Sequence, residues 1–208
     1  GRLAAERDRL LRQLAEEGLL DRNASLTVPE PALRIGLVTS VGSAAYADLH
    51  NELERSGVGF TLLERDTRVQ GEGSTADISE GLRVLSSYRP DVIALVRGGG
   101  SAADLSVFDA EVVARRIAEL PVPVFTGIGH EVDRSVADEV AHSTFKTPTA
   151  CAVALVGSAV AFRDRIDSLR TAIGENAHRA IQRSEGLRAN LADRMVRVAG
   201  TTIERHSD

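Results

Sequence analysis

The chain has one cysteine, one methionine, no tryptophan and only 3% aromatic residues in 208 positions. A single cysteine, Cys151, excludes an internal disulfide framework and a cysteine-built zinc cluster, and it suits a reducing cytoplasm. The scarcity of aromatics argues against a surface on which unpaired bases stack. No run of eighteen or more apolar residues exists, so no membrane-spanning helix is expected. The N-terminus is charged and helical in pattern, without a signal-peptide core. It starts without Met and inside that helical pattern, which suggests a piece of a longer chain. Lysine is almost missing too. Of 25 basic residues, 24 are Arg and one is Lys146, a compact and titratable cation in a background of guanidinium groups.

What is present is an ordinary globular composition, 43% hydrophobic and 26% charged, which excludes disorder as the main state. The net charge of −5 opposes nucleic-acid binding. Its distribution qualifies that, because residues 141–208 carry ten basic and seven acidic groups.

The order of elements predicts an α/β fold. Leu3, Leu10, Leu11 and Leu14 form one stripe of a helix over 2–17, which Gly18 ends. Residues 21–33, polar and containing Pro29 and Pro31, read as a linker. Apolar strands are expected at 34–39, 60–63, 92–96 and 122–126, and helices at about 44–56, 75–87 and 108–119, with Ser43 as an N-cap. A polar loop is expected over 65–74. Strand–helix alternation with continuous Val/Ile/Leu strands implies a mostly parallel sheet of about four strands with helices on both faces. Beyond Pro148 a long C-terminal helix or helices follow, interrupted by Gly157, Gly174, Gly186 and Gly200. There Ile166, Leu169, Ile173, Leu187, Leu191 and Val198 recur like a worn coiled-coil seam. The domain reading is 1–33 as helix and linker, 34–150 as the α/β domain, and 151–208 as a helical segment.

In such sheets, sites form beyond the carboxyl ends of the strands. Three strand ends carry polar, Gly-rich segments: Thr39–Ser43, Arg97–Ser101 and Gly127–Asp133. In Arg97-Gly98-Gly99-Gly100-Ser101, three glycines free backbone N–H groups to form a nest for an anion, while Arg97 and Ser101 add donors. The plain alternative is a tight strand-to-helix turn. The spacing is neither a dinucleotide fingerprint nor a Walker loop. In Gly127-Ile128-Gly129-His130-Glu131-Val132-Asp133, His130 is suited to proton transfer and Asp133 to orienting it or carrying a positive partner, the plain alternative being a hydrogen-bonded helix start. The zinc motif HExxH fails because Arg134 stands where the second His belongs. Lys146 and Thr147 precede Pro148 at a helix entry where a phosphate would be welcome. Asp48, alone, reads as a solvated helical acid, and Asp104 and Asp109 as helix-entry acids.

Together, the motifs RGGGS, GxGHExD and TPTA in this order resemble the catalytic domain of the exodeoxyribonuclease VII large subunit. The likeness covers roughly residues 10–155 and, less specifically, the helical tail. It implies a nuclease that degrades single-stranded DNA to short oligonucleotides, with Asp48, Arg97, His130 and Asp133 as catalytic residues. Gly98, Gly99, Gly100, Ser101, Lys146 and Thr147 are then the DNA- and phosphate-binding candidates. It also implies no strictly required cofactor, with Mg2+ as an optional aid, and small subunits bound along the helical tail. A homo-oligomer is a further expectation, as is cytoplasmic location. The competing readings are a non-catalytic phosphate- or nucleotide-binding module and a helical assembly subunit.

Overall fold

The structure, a computed structural model, describes residues 2–98, 102–129 and 134–205. It is α/β, as the alternation predicts. In chain order the elements are α1 (Arg2–Glu16), β1 (Arg34–Thr39), α2 (Ala44–Arg55), β2 (Thr61–Asp66), α3 (Ser74–Ser87) and β3 (Val92–Val96). A 3-10 helix (Ala102–Asp109), α4 (Glu111–Glu119), β4 (Val124–Gly127), α5 (Val136–Val140), β5 (Ser143–Thr144) and α6 (Pro148–Arg205) follow.

The strands form one parallel sheet in the order β2-β1-β3-β4-β5. β5 is a fifth strand beyond the expected four or so. It is two residues long and polar, so it leaves no apolar signature in the sequence. β2 runs on to Asp66 through residues that read as the start of a loop. It lies at the edge of the sheet with a half-exposed pattern, which tolerates Glu64, Arg65 and Asp66.

Two apolar layers cover the sheet. On one face Val38, Ile93, Leu95 and Val124 pack against Leu14 of α1, Ile78 and Leu82 of α3, Val113 and Ile117 of α4, and Val136 of α5. On the other face Ile35, Leu37, Val92, Ala94 and Val96 meet Ala45, Leu49 and Leu53 of α2 and Cys151, Ala152 and Leu155 of α6. Consecutive strand residues feed opposite layers, so residues 35–38 of β1 and all of β3 carry no polar side chain. Each fully buried Leu or Ile contributes about 1.5–3 kcal/mol.

Residues 21–33 are polar yet anchored. Asn23 is fully buried; its Nδ2 donates to the carbonyls of Ile117 and Val122, both at 3.0 Å, and its Oδ1 accepts from the amide of Val124 at 2.8 Å. One amide side chain thus closes the end of α4 and the start of β4. Nearby, His142 bonds the Leu26 carbonyl through Nε2 at 3.0 Å, which gives that imidazole a structural place. Arg115 of α4 pairs with Glu17 just after α1, and the guanidinium holds the Glu17 carboxyl down to about 2.

The chain divides into two compact units, Gly1–Phe162 and Arg163–Asp208. The first contains the sheet. The second is helix, and α6 persists through Gly157, Gly174, Gly186 and Gly200 where interruptions were expected. Glycine costs a helix interior about 1 kcal/mol each, which a long run of good helix formers absorbs. On the second unit Ile166, Leu169, Ile173, Ile181, Leu187 and Leu191 are exposed. Among the described residues no helix is long and apolar enough to cross a membrane.

Candidate functional site

The topology creates the crevice. From β1 the chain passes to α2 on one face of the sheet; from β3 it passes to α4 on the other. β1 and β3 are neighbours, so their carboxyl ends diverge at a topological switch point, the place where open parallel sheets hold ligands.

The first loop, residues 40–43, is pinned from both sides. The amide of Val41 donates to Asp66 Oδ1 at 2.9 Å, and Ser43 Oγ accepts from the amide of Tyr46 at 3.2 Å, so Ser43 is the N-cap of α2 as its residue type predicts. Thr39, the last residue of β1, buries its hydroxyl without a hydrogen-bond partner.

Arg97 follows β3 and is 2% exposed, an expensive position for a guanidinium. Its amide donates to the carbonyl of Gly127 at 3.2 Å, which extends the β3–β4 ladder to the start of the Gly-rich turns. Gly98 abuts α2: a Cβ there would lie 3.5 Å from the Ala45 nitrogen. On the other side, a Cβ at Gly127 would lie 3.1 Å from the Thr147 carbonyl oxygen and 3.3 Å from Cys151 Cβ. Gly129 has a φ of +77°, and a Cβ there would stand 3.3 Å from the Lys146 carbonyl oxygen. A chain of backbone contacts therefore runs from α2 through Arg97–Gly98 and Gly127–Gly129 to the entry of α6. At 129 the left-handed φ favours glycine, and at 127 a Cβ would press on the Thr147 carbonyl and need its neighbours to give by a few tenths of an ångström.

The site residues expected from sequence fall into three groups. Arg97 and Gly98 stand in the crevice. Asp48 is exposed on α2, one turn beyond Ala45; Lys146 and Thr147 are exposed at the entry of α6, where Thr147 Oγ1 accepts from the Ala150 amide at 3.0 Å. Gly99, Gly100, Ser101, His130 and Asp133 lie outside the described residues.

The corner after residue 133 is built by Asp138, for which no role was expected, and by Asp109, expected only as a helix-entry acid. Asp138 accepts from the Ser135 amide and hydroxyl at 3.0 and 2.8 Å in a capping box, and from Thr126 Oγ1 at 2.6 Å. Asp109 Oδ1 accepts from the Val136 amide at 2.8 Å. Ser135-x-x-Asp138 has the spacing of a capping box, and that signal was available. Cys151 is buried beneath Gly127, and burial pushes its thiol up to about 12, so it is a packing residue rather than a nucleophile. Among the described residues no group of three or more His, Cys, Asp or Glu is placed to hold a metal ion.

Residues 19–208 match the family model described as exonuclease VII, large subunit. The chain is 40% identical over 161 residues to the exodeoxyribonuclease 7 large subunit of Geotalea uraniireducens, covering 77% of this chain and 36% of that protein. It is 40% identical over 158 residues to that of Thermotoga petrophila, covering 76% and 40%. Over 185 residues it is 37% identical to that of Geobacter metallireducens, covering 88% and 39%. The chain spans about two fifths of the length of these curated relatives.

Proposed function

The chain belongs to the exonuclease VII large-subunit family, and from that membership and the switch-point crevice we propose that it hydrolyses phosphodiester bonds of single-stranded DNA to short oligonucleotides. The observation that carries this reading is the meeting of Arg97–Gly98, the start of α2 and Gly127–Gly129 at adjacent strand ends.

Arg97 and the backbone N–H groups of Gly98, Gly99 and Gly100 hold the scissile phosphate and neutralise the charge that grows on its oxygens in the transition state. A water oxygen forms the new bond to phosphorus, and the bond from phosphorus to the leaving sugar oxygen breaks. His130 transfers the proton in this exchange, and Asp133 orients His130 or takes the proton of the water. Asp48 completes the site from α2. Ser101, Lys146 and Thr147 contact the neighbouring backbone of the strand. These residue roles require no cofactor; Mg2+, if bound, would supply additional neutralising charge.

The exposed apolar residues of the second unit, Ile166 to Leu191, support docking of small-subunit helices along α6 in a cytoplasmic enzyme. The acidic balance of the chain fits a division of labour in which another part of the enzyme captures the strand.

The test is cleavage of a 5′-labelled single strand by the full-length protein, with and without chelator. His130→Ala is expected to lower the rate by about 10²–10⁴-fold while the fold and much of the DNA affinity remain. Normal cleavage by that variant, or by Arg97→Ala, overturns the assignment.

A further inference from the structure

A cavity of about 590 Å³ opens beside the crevice, with α1 as one wall and the corner between β4 and α5 as the other. Gly129 and Arg134 both line it, and these are the two residues that bracket positions 130–133. It lies on the side of the sheet to which Leu95 and Ile128 belong, and Gly129, which ends the chain of backbone contacts in the crevice, is one of its lining residues. The cavity therefore shares Gly129 with the crevice to which the scissile phosphate is assigned.

Its size is that of a small-molecule site. Its chemistry is mixed. Leu10, Leu105 and Ile128 give apolar walls, and α1 adds the Arg9 guanidinium and the Gln13 amide. Carboxylates lie nearby but are already engaged: Asp109 by the Val136 amide, Asp138 by Ser135 and Thr126, and Glu111 by Arg115 at 2.7 Å. With four carboxylates against three guanidinium groups around it, the cavity repels a bare phosphate. A neutral ring with apolar faces and a hydrogen-bonding edge fits.

Two groups are available for that edge. Arg9 makes no ion pair or hydrogen bond among the described residues. Gln13 gives one N–H to Glu17 at 3.0 Å and keeps its carbonyl oxygen and second N–H. α1 is fixed as a wall by Arg7, whose Nη2 donates to the Arg134 carbonyl at 2.6 Å.

We propose that this cavity is a nucleoside subsite: it receives the base and deoxyribose of the nucleotide next to the bond being cut, and Arg9 and Gln13 of α1 bind that base. The inference rests on the nuclease reading of the neighbouring crevice. The aliphatic walls accept any base, and an amide with both donor and acceptor reads no single edge, so the subsite binds without marked base preference.

The experiment is an abasic scan. A fluorescein-labelled oligothymidylate of eight nucleotides, with one tetrahydrofuran abasic unit moved along it, is titrated against the full-length protein by fluorescence anisotropy. Cleavage of each strand is followed separately. The wild type is expected to lose about tenfold in affinity at one position of the scan, a change of about 1.4 kcal/mol. In the Arg9→Ala/Gln13→Ala double variant that position is expected to cost no more than the others. Both residues are exposed on α1, so folding is unaffected, and circular dichroism checks this. A uniform scan in the wild type, or a position-specific penalty that persists in the double variant, overturns the subsite. Absence of cleavage with a position-specific penalty instead overturns the nuclease reading and leaves the base pocket standing.

Discussion

Arg7 and Arg134 stand 127 positions apart in the chain, and Nη2 of the first donates a 2.6 Å hydrogen bond to the main-chain carbonyl of the second. The same guanidinium faces Glu139 at 3.5 Å, and Glu139 also faces Arg134 at 3.7 Å. α1 is thereby tied to the chain directly after the GHExD motif. Arg7→Ala is expected to cost about 1 kcal/mol, because one charged donor to a partly exposed carbonyl is lost. Amide hydrogen exchange is the better readout: protection at Val136 and Ala137 should fall more than protection in β1 and β3. Equal loss throughout would show that α1 does not act on this corner.

Asn23 makes a stronger prediction. Asn23→Leu keeps the volume but strips partners from the Ile117 and Val122 carbonyls and the Val124 amide, all in a fully buried setting. The expected loss is about 2–4 kcal/mol in urea unfolding, with an unchanged slope against denaturant. A loss under 1 kcal/mol would mean that water reaches these groups.

Gly129 combines a positive φ with a close carbonyl. Gly129→Ala meets both strain and the Lys146 oxygen, so a stability loss of about 1–3 kcal/mol is expected. Because His130 comes next in the chain, cleavage should fall by about 10²-fold, the usual cost of a misplacement near 1 Å. Thermal unfolding and single-strand cleavage separate the two effects. An active Gly129→Ala enzyme would remove residue 130 from the chemistry.

Cys151 sets a pH dependence. Burial raises its thiol from 9.0 to about 12. Below pH 9 the thiol is neutral in both folded and unfolded chains, and no stability changes. Between about pH 9 and 12 the unfolded chain releases the proton while the folded one keeps it, so stability falls as pH rises, by about 1.4 kcal/mol per unit at most. Cys151→Ala should flatten that decline, measured by urea unfolding at pH 8 and pH 10. At pH 8 iodoacetamide should label the thiol only in denaturant.

The sheet was legible because its strands are apolar without alternation and its helices begin at Ser43 and at Thr147-Pro148, signals that act within a few residues. The Gly-rich turns after β3 and β4 were legible for the same reason, since their glycines cluster directly at the ends of buried strands. β5 and the outward half of β2 were hidden, since a polar pair and an edge strand carry no period that distinguishes them from a loop. Asn23 was hidden as well; nothing within ten residues of it says that its amide will close α4 and β4.

The amino-acid order alone determined the parallel α/β layering and the family motifs, because burial of continuous apolar strands depends only on local pattern. Tertiary packing decided the rest. It set α1 against the β4–α5 corner, buried the Arg97 guanidinium, and brought Gly98 onto Ala45 and Gly129 under Lys146. Those relationships join segments tens of residues apart through close backbone approach, and no local propensity encodes a distance across the sheet.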